Sequence, residues 1–172
     1  MEQFVNKVAE SGIVTLDLAT YIPADDECMA FDMKPYLFRE MILREKDFRA
    51  ALPTIPWSDF AGKHVALFCS ADAIIPVWAY MLVVSFLQPV ATSVYFGTED
   101  ELKKSLVVSR IQAIDTNEYT DKRVVIKGCG DIAIPEIAYT TITFQLRSVV
   151  KSLMYGEPCS TVPVYKRPAV PK

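Results

Sequence analysis

Cys69-Ser-Ala-Asp72-Ala-Ile-Ile-Pro76-Val-Trp-Ala79-Tyr80 and Cys129-Gly-Asp131-Ile-Ala-Ile-Pro135-Glu-Ile-Ala138-Tyr139 are two versions of one phrase. Each runs on through an apolar helix-length stretch to a short strand ending in glycine, at Gly97 and Gly156. Proline to glycine spans 21 residues in both, while cysteine to proline spans 7 in the first and 6 in the second. Self-similarity at a fixed spacing is the mark of a duplicated unit, here a β-Cys-loop-α-β repeat. A proline at a helix start is common, so chance is the competing reading.

The repeat sets how its own helices are read. The stretch from Tyr139, Thr-Thr-Ile-Thr-Phe-Gln-Leu, is rich in β-branched residues and fits a strand by propensity. Its counterpart from Tyr80, Met-Leu-Val-Val-Ser-Phe-Leu, follows the same opening. At that length both are crossover helices between parallel strands. Outward from the repeat, strands are expected over 13–18, 29–33, 64–69, 92–96, 123–127 and 152–155. Helices are expected over 35–52, 76–88, 98–114 and 135–150. Asp32 and Pro35 mark the start of the first helix and Pro53 its end. Glu99, Asp100 and Glu101 suit the positive end of the third helix. Alternating strands and helices predict an α/β fold with a mostly parallel sheet flanked by helices in three layers, Rossmann-like or flavodoxin-like.

At 172 residues the chain is expected to form a single α/β domain over 1–165, with a flexible tail over 166–172. Hydrophobic residues make up 51% of it and charged residues 23%, an ordinary globular composition. With a formal net charge of -3 and no basic stripe, nucleic acid is not an expected partner. The longest apolar stretch, 73–87, is shorter than the roughly 20 residues a membrane span needs, so no membrane is expected either. Residues 1–12 read as a short amphipathic helix without the basic start of a secretion signal, and the chain is read as cytoplasmic.

Three of the four cysteines, Cys69, Cys129 and Cys159, come just after strand-like runs. If those strands are neighbours in one sheet, the thiols meet at its carboxyl edge, where open α/β sheets place ligands. Strands lie about 4.8 Å apart, so thiols at matching heights reach a common metal. Thiolates suit zinc, copper(I) or an iron–sulfur cluster. Asp72, Asp131 or Glu157 would complete the set. The competing reading is three small side chains buried at strand ends, because free cysteine is among the most buried residue types and no Cys-x-x-Cys pair is present. Thiol chemistry is a third, with Cys69 and Cys129 shortly before helix starts, although Asp72 and Asp131 would repel a thiolate unless they cap those helices. A Cys–His pair is disfavoured. His64 lies five positions before Cys69 on one strand, about 16 Å away at the opposite end. Cys28 lies in an acidic loop and is not placed at the site.

The helix from Pro76 carries Val77, Trp78, Met81, Leu82, Val84, Phe86 and Leu87, apolar nearly all round. Such a helix is covered on every side, by other layers or by a second subunit, so a homodimer is expected. Three function classes follow. They are a cysteine-cluster metal site, a non-enzymatic homodimeric interaction module with structural cysteines, and a small-molecule enzyme using the carboxylates at the same edge.

Phe31-Asp-Met-Lys, Ile42-Leu-Arg-Glu-Lys-Asp-Phe-Arg49, the stretch Cys69 to Met81, Val124-Val-Ile-Lys-Gly-Cys-Gly-Asp131 and Ser152-Leu-Met-Tyr-Gly-Glu-Pro-Cys-Ser-Thr-Val-Pro163 resemble domain-of-unknown-function family 2480, typical of Bacteroidetes. The resemblance covers nearly the whole chain and implies no particular activity, cofactor or catalytic residue. Members of that family are often encoded near iron–sulfur assembly genes. This implies a role as an accessory in iron–sulfur or thiol metabolism, with assembly proteins as partners.

Overall fold

A computed structural model describes residues 12–128, 130–157 and 160–169. The chain divides into two compact units. Unit one comprises 12–22 and the described residues from 106 onward, and unit two comprises 23–105. Unit one holds β1 (Ile13–Leu16), β5 (Arg123–Ile126), β6 (Ser152–Glu157) and β7 (Ser160–Lys166) in the order β1-β5-β6-β7. Unit two holds β2 (Cys28–Asp32), β3 (His64–Phe68) and β4 (Ser93–Phe96) in the order β2-β3-β4. All neighbours are parallel except β6 and β7. The fold is α/β and mostly parallel, with an internal β-α-β repeat. Its strands, however, lie in two sheets rather than one.

The two central strands explain both sheets. Val65, Ala66 and Leu67 on β3, and Val124, Val125 and Ile126 on β5, are all buried. An unbroken apolar run is what a strand covered on both faces needs. Parallel neighbours cannot be joined by a tight turn, so each central strand leads through a helix to the next. These helices are α2 (Val77–Leu87) and α4 (Glu136–Leu146), with α1 (Glu45–Ala51) and α3 (Glu99–Gln112) as the other two among the described residues. Ala79, Val83 and Leu87 are the buried seam of α2, and Ala138, Ile142 and Leu146 that of α4. Spaced four apart, each trio forms one stripe facing its core.

The duplication is exact in register across more than its helices. His64 pairs with Ser93 and Arg123 with Ser152. The 3-10 turns Trp57–Phe60 and Thr116–Tyr119 precede the central strands in the same way. Gly62 (φ 72°) is matched by Asp121 (φ 58°), and Gly97 (φ 148°) by Gly156 (φ 120°). Gly62 donates to the Val90 carbonyl at 3.0 Å and Asp121 to that of Val149 at 2.9 Å. The ring of Tyr80 meets Phe96 edge-on at 5.0 Å, and Tyr139 meets Tyr155 at 5.6 Å. Every pair is 59 positions apart, from Trp57/Thr116 to Gly97/Gly156, with no insertion between.

Three local expectations are corrected. The helix expected over 35–52 exists only as α1, Glu45–Ala51. Asp32 and Pro35 instead open a 3-10 turn, and Arg39 (φ 53°) and Glu40 (φ 57°) then take left-handed backbone, allowing Phe38 to pair with Ile42. Two such residues in succession end any right-handed helix. β7 was not among the expected strands, and it contains Pro163, a residue that cannot donate to a ladder. It is tolerated on an outer strand at the Leu153/Met154 register shift. Arg167, just beyond β7, donates to Asp121 and to the Val149 carbonyl. The third correction concerns helix starts. Pro76 and Pro135 occupy the N-cap positions, and neither helix has a side-chain cap, so Asp72 and Asp131 do not cap them. The expected helix over 1–12 lies outside the described residues, apart from Gly12.

Leu87 and Leu146 are fully buried at equivalent positions. Leu87→Ala and Leu146→Ala should each cost about 2–5 kcal/mol, read as a fall in the urea midpoint.

Candidate functional site

Each sheet ends, at its carboxyl edge, in the same device. Asp17 follows β1 and Asp32 closes β2, and both sit opposite the end of the central strand. Asp32 Oδ1 accepts from the Lys34 N–H at 2.9 Å, and Asp17 Oδ1 from the Ala19 N–H at 3.0 Å. Both aspartates thus start a 3-10 turn, and Leu18 and Met33 behind them are fully buried. The other contacts reach the neighbouring strand. Asp32 accepts from the Ser70 N–H at 2.9 Å and its hydroxyl at 2.5 Å, whereas Asp17 pairs with Lys127 Nζ at 2.8 Å.

These contacts set the charge states. The Lys127 hydrogen bond, followed by the Ala19 N–H, holds the Asp17 carboxyl below its ordinary range. For Asp32, burial pushes upward, but the Ser70 hydroxyl and the Lys34 and Ser70 N–H groups outweigh it and the net shift is down. Lys127 is shifted up by Asp17 first, with smaller contributions from Glu157 and Asp131. Asp131 and Glu157 are therefore within electrostatic reach of the Lys127 ammonium.

The six residues expected to form a metal site divide between the sheets. Cys69 follows β3 of unit two and is partly buried as a free thiol. Burial, then the Cys69 thiol, pushes the neighbouring Tyr80 hydroxyl above its ordinary range. Asp72 follows in the same loop and is exposed. Asp131 and Glu157 belong to unit one, Asp131 exposed and Glu157 half-buried. Cys129 and Cys159 lie outside the described residues. The strands they follow, β5 and β6, are neighbours, but β3 is in the other sheet, so strand adjacency does not gather three thiols. Among the described residues no group of three or more His, Cys, Asp or Glu side chains is arranged to hold a metal ion.

The register also corrects the equivalence of the cysteines. Fifty-nine positions beyond Cys69 stands Gly128, and Cys129 corresponds to Ser70. Asp72 and Asp131 do correspond. The single-residue difference in cysteine-to-proline spacing is a shifted cysteine and not a shortened loop. His64, at the amino end of β3, lies 2.7 Å from Ser93 Oγ through Nδ1, remote from Cys69 as expected. Cys28 is buried at the amino end of β2 and away from this edge.

Unit one carries a cleft of about 640 Å³ at its carboxyl edge, between the β5–α4 loop, α4 and the β6 end. Gly128 permits it. A Cβ there would lie 2.6 Å from the Tyr155 ring, whose hydroxyl donates to the Gly128 carbonyl at 3.3 Å. Sequence reasoning missed Asp17, Asp32 and Tyr155. The available signal was the pair Leu16-Asp17-Leu18 and Phe31-Asp32-Met33, an aspartate between apolar residues at the end of each first strand.

Because both aspartates are shifted down, their stabilisation is complete above the ordinary aspartate pKa of about 3.9 and is lost as pH falls through the lower folded-state values. Urea midpoints should be flat near neutrality and fall below about pH 4. Asp32→Asn should cost about 1 kcal/mol at pH 6 and flatten the acid limb.

No curated protein and no solved structure matches the chain. A family model matches residues 2–167, nearly the whole of both units. The chain built from this repeated β-α-β design belongs to the family described as "Protein of unknown function (DUF2480)".

Proposed function

We propose that the protein is a non-enzymatic interaction module that works as a homodimer through the outer face of α2. One comparison within the chain carries this reading. On α2 the outward positions are Val77, Met81 and Val84, exposed by 74%, 67% and 38%. The equivalent positions on α4 are Glu136, Thr140 and Thr143, whereas the exposed Ser85 of α2 is matched by the exposed Phe144. The same backbone accepts polar residues in unit one, so the apolar choice in unit two is not a demand of the fold.

The face extends beyond the helix. Ile74 (92% exposed) is bridged to Ile42 (59%), and Phe96 (68%) packs against Tyr80. Such a patch is on the order of several hundred Å², comparable to the roughly 800 Å² each partner gives a stable interface. A second copy fits best. A two-fold axis sets like against like, which repels if the patch is charged, and α2 contains no charged residue. No helix among the described residues is long and apolar enough to cross a membrane. With Cys28 and Cys69 outside any disulfide, the reading puts this dimer in the reducing cytoplasm.

Sedimentation should give a concentration-dependent dimer. Met81→Glu should weaken it by about 100-fold, since it buries an unpaired charge, and Thr140→Glu should leave it unchanged. A concentration-independent monomer overturns the reading.

A second reading keeps a zinc or iron–sulfur site, serving iron–sulfur assembly proteins. It is favoured by the adjacency of β5 and β6, which Cys129 and Cys159 follow, with Asp131 and Glu157 near Lys127. Cys69 gains no support from this adjacency. Anaerobically purified protein should then hold zinc or iron that Cys129→Ser and Cys159→Ser lose and Cys69→Ser keeps. Protein that takes up neither metal excludes it.

A further inference from the structure

The positions that line the unit-one cleft have counterparts 59 residues earlier in unit two, and the two sets of side chains differ. Gly128 and Gly130 stand where unit two has Cys69 and Ala71. Glu136, Thr143 and Tyr155 stand where it has Val77, Val84 and Phe96. Each exchange removes volume or adds a polar atom. At Gly130 a Cβ would meet nothing within 4 Å, so packing does not require glycine there and its absence of a side chain simply leaves room. The floor stays apolar, with Ile126, Ile134 and Tyr139.

The charge at the rim is one-sided. Glu136 lines the cleft in the first turn of α4, so the positive helix end already has its carboxylate. Asp131 follows Gly130 directly, none of the described residues that line the cleft is cationic, and Lys127 after β5 is paired with Asp17. An anion therefore finds no free positive group among these residues. Tyr155, 41% exposed, offers a ring face at the same rim. Cations are attracted to such faces, more so beside a carboxylate.

From this cleft we infer that unit one binds a small organic cation, an amine on an apolar or aromatic body. Its ammonium meets Glu136, and its body lies against Tyr155 and the isoleucine floor. A cleft of about 640 Å³ suits one small molecule and is too small for a folded partner. The inference does not depend on the dimer, whose face lies on unit two.

The test is titration of the full-length protein with phenethylamine, followed by calorimetry and by amide shifts. 3-Phenylpropionate and inorganic phosphate are the comparison probes. Saturable binding of phenethylamine is expected, with shifts at Gly128, Gly130 and Tyr155, and neither anion should bind. Glu136→Gln, on an exposed position that preserves the fold, should weaken binding about tenfold, the effect of one charged contact. Tyr155→Leu should abolish it. Met81→Glu should bind as the parent protein does, which separates this site from the dimer face. Equal binding of 3-phenylpropionate, unchanged affinity in Glu136→Gln, or shifts confined to Ile74 and Phe96 would each overturn the inference.

Discussion

Burial of the central strands on both faces is the constraint from which the rest of the structure follows. Val65-Ala66-Leu67 and Val124-Val125-Ile126 expose almost nothing to water. Burying backbone at that depth requires that every N–H and C=O be paired, which the parallel neighbours on each side supply. Parallel neighbours in turn require a crossover helix, and that helix must present one apolar seam. Ala79-Val83-Leu87 and Ala138-Ile142-Leu146 meet that requirement in the same positions. The carboxyl edge, with Asp17 and Asp32 closing the first strand of each sheet, is where this arrangement leaves chemistry exposed.

Duplication makes the protein its own control. Positions that the fold needs are the same in both units, such as Pro76 and Pro135, Ala79 and Ala138, and Tyr80 and Tyr139. Positions that differ report what each unit does apart from folding. At one edge the exchange runs to apolar side chains, leaving a surface that suits another protein. At the other it runs to glycine, glutamate and tyrosine hydroxyl, opening a cleft. One repeated design would thus support the two kinds of contact proposed.

Much of the fold was legible in the sequence because it rests on local patterns. The strands before Cys69 and Cys129, the proline-started crossovers and the acidic start of α3 all have signatures a few residues long. The division into two sheets has none, since strand order is decided by contacts between residues far apart in the chain. The stretch after Pro35 misled because its apolar spacing suits a helix, while the left-handed backbone at Arg39 and Glu40 carries no glycine to announce it. For the site, the conspicuous cysteines suggested an equivalence one residue out of register. The aspartates that do correspond in structure, Asp17 and Asp32, lie outside the repeated phrase, and Asp32 was read only as a helix start.

The central claim is that equivalent edges of the two units have diverged, one to be covered by a second copy and one to remain open. Methyl NMR with a soluble paramagnetic agent tests it most directly. Ile74 and Met81, 92% and 67% exposed on the α2 face, should be shielded at high protein concentration and broadened on dilution, while Ile132 at the unit-one cleft should be broadened throughout. Full broadening of Ile74 and Met81 at every concentration would contradict the account.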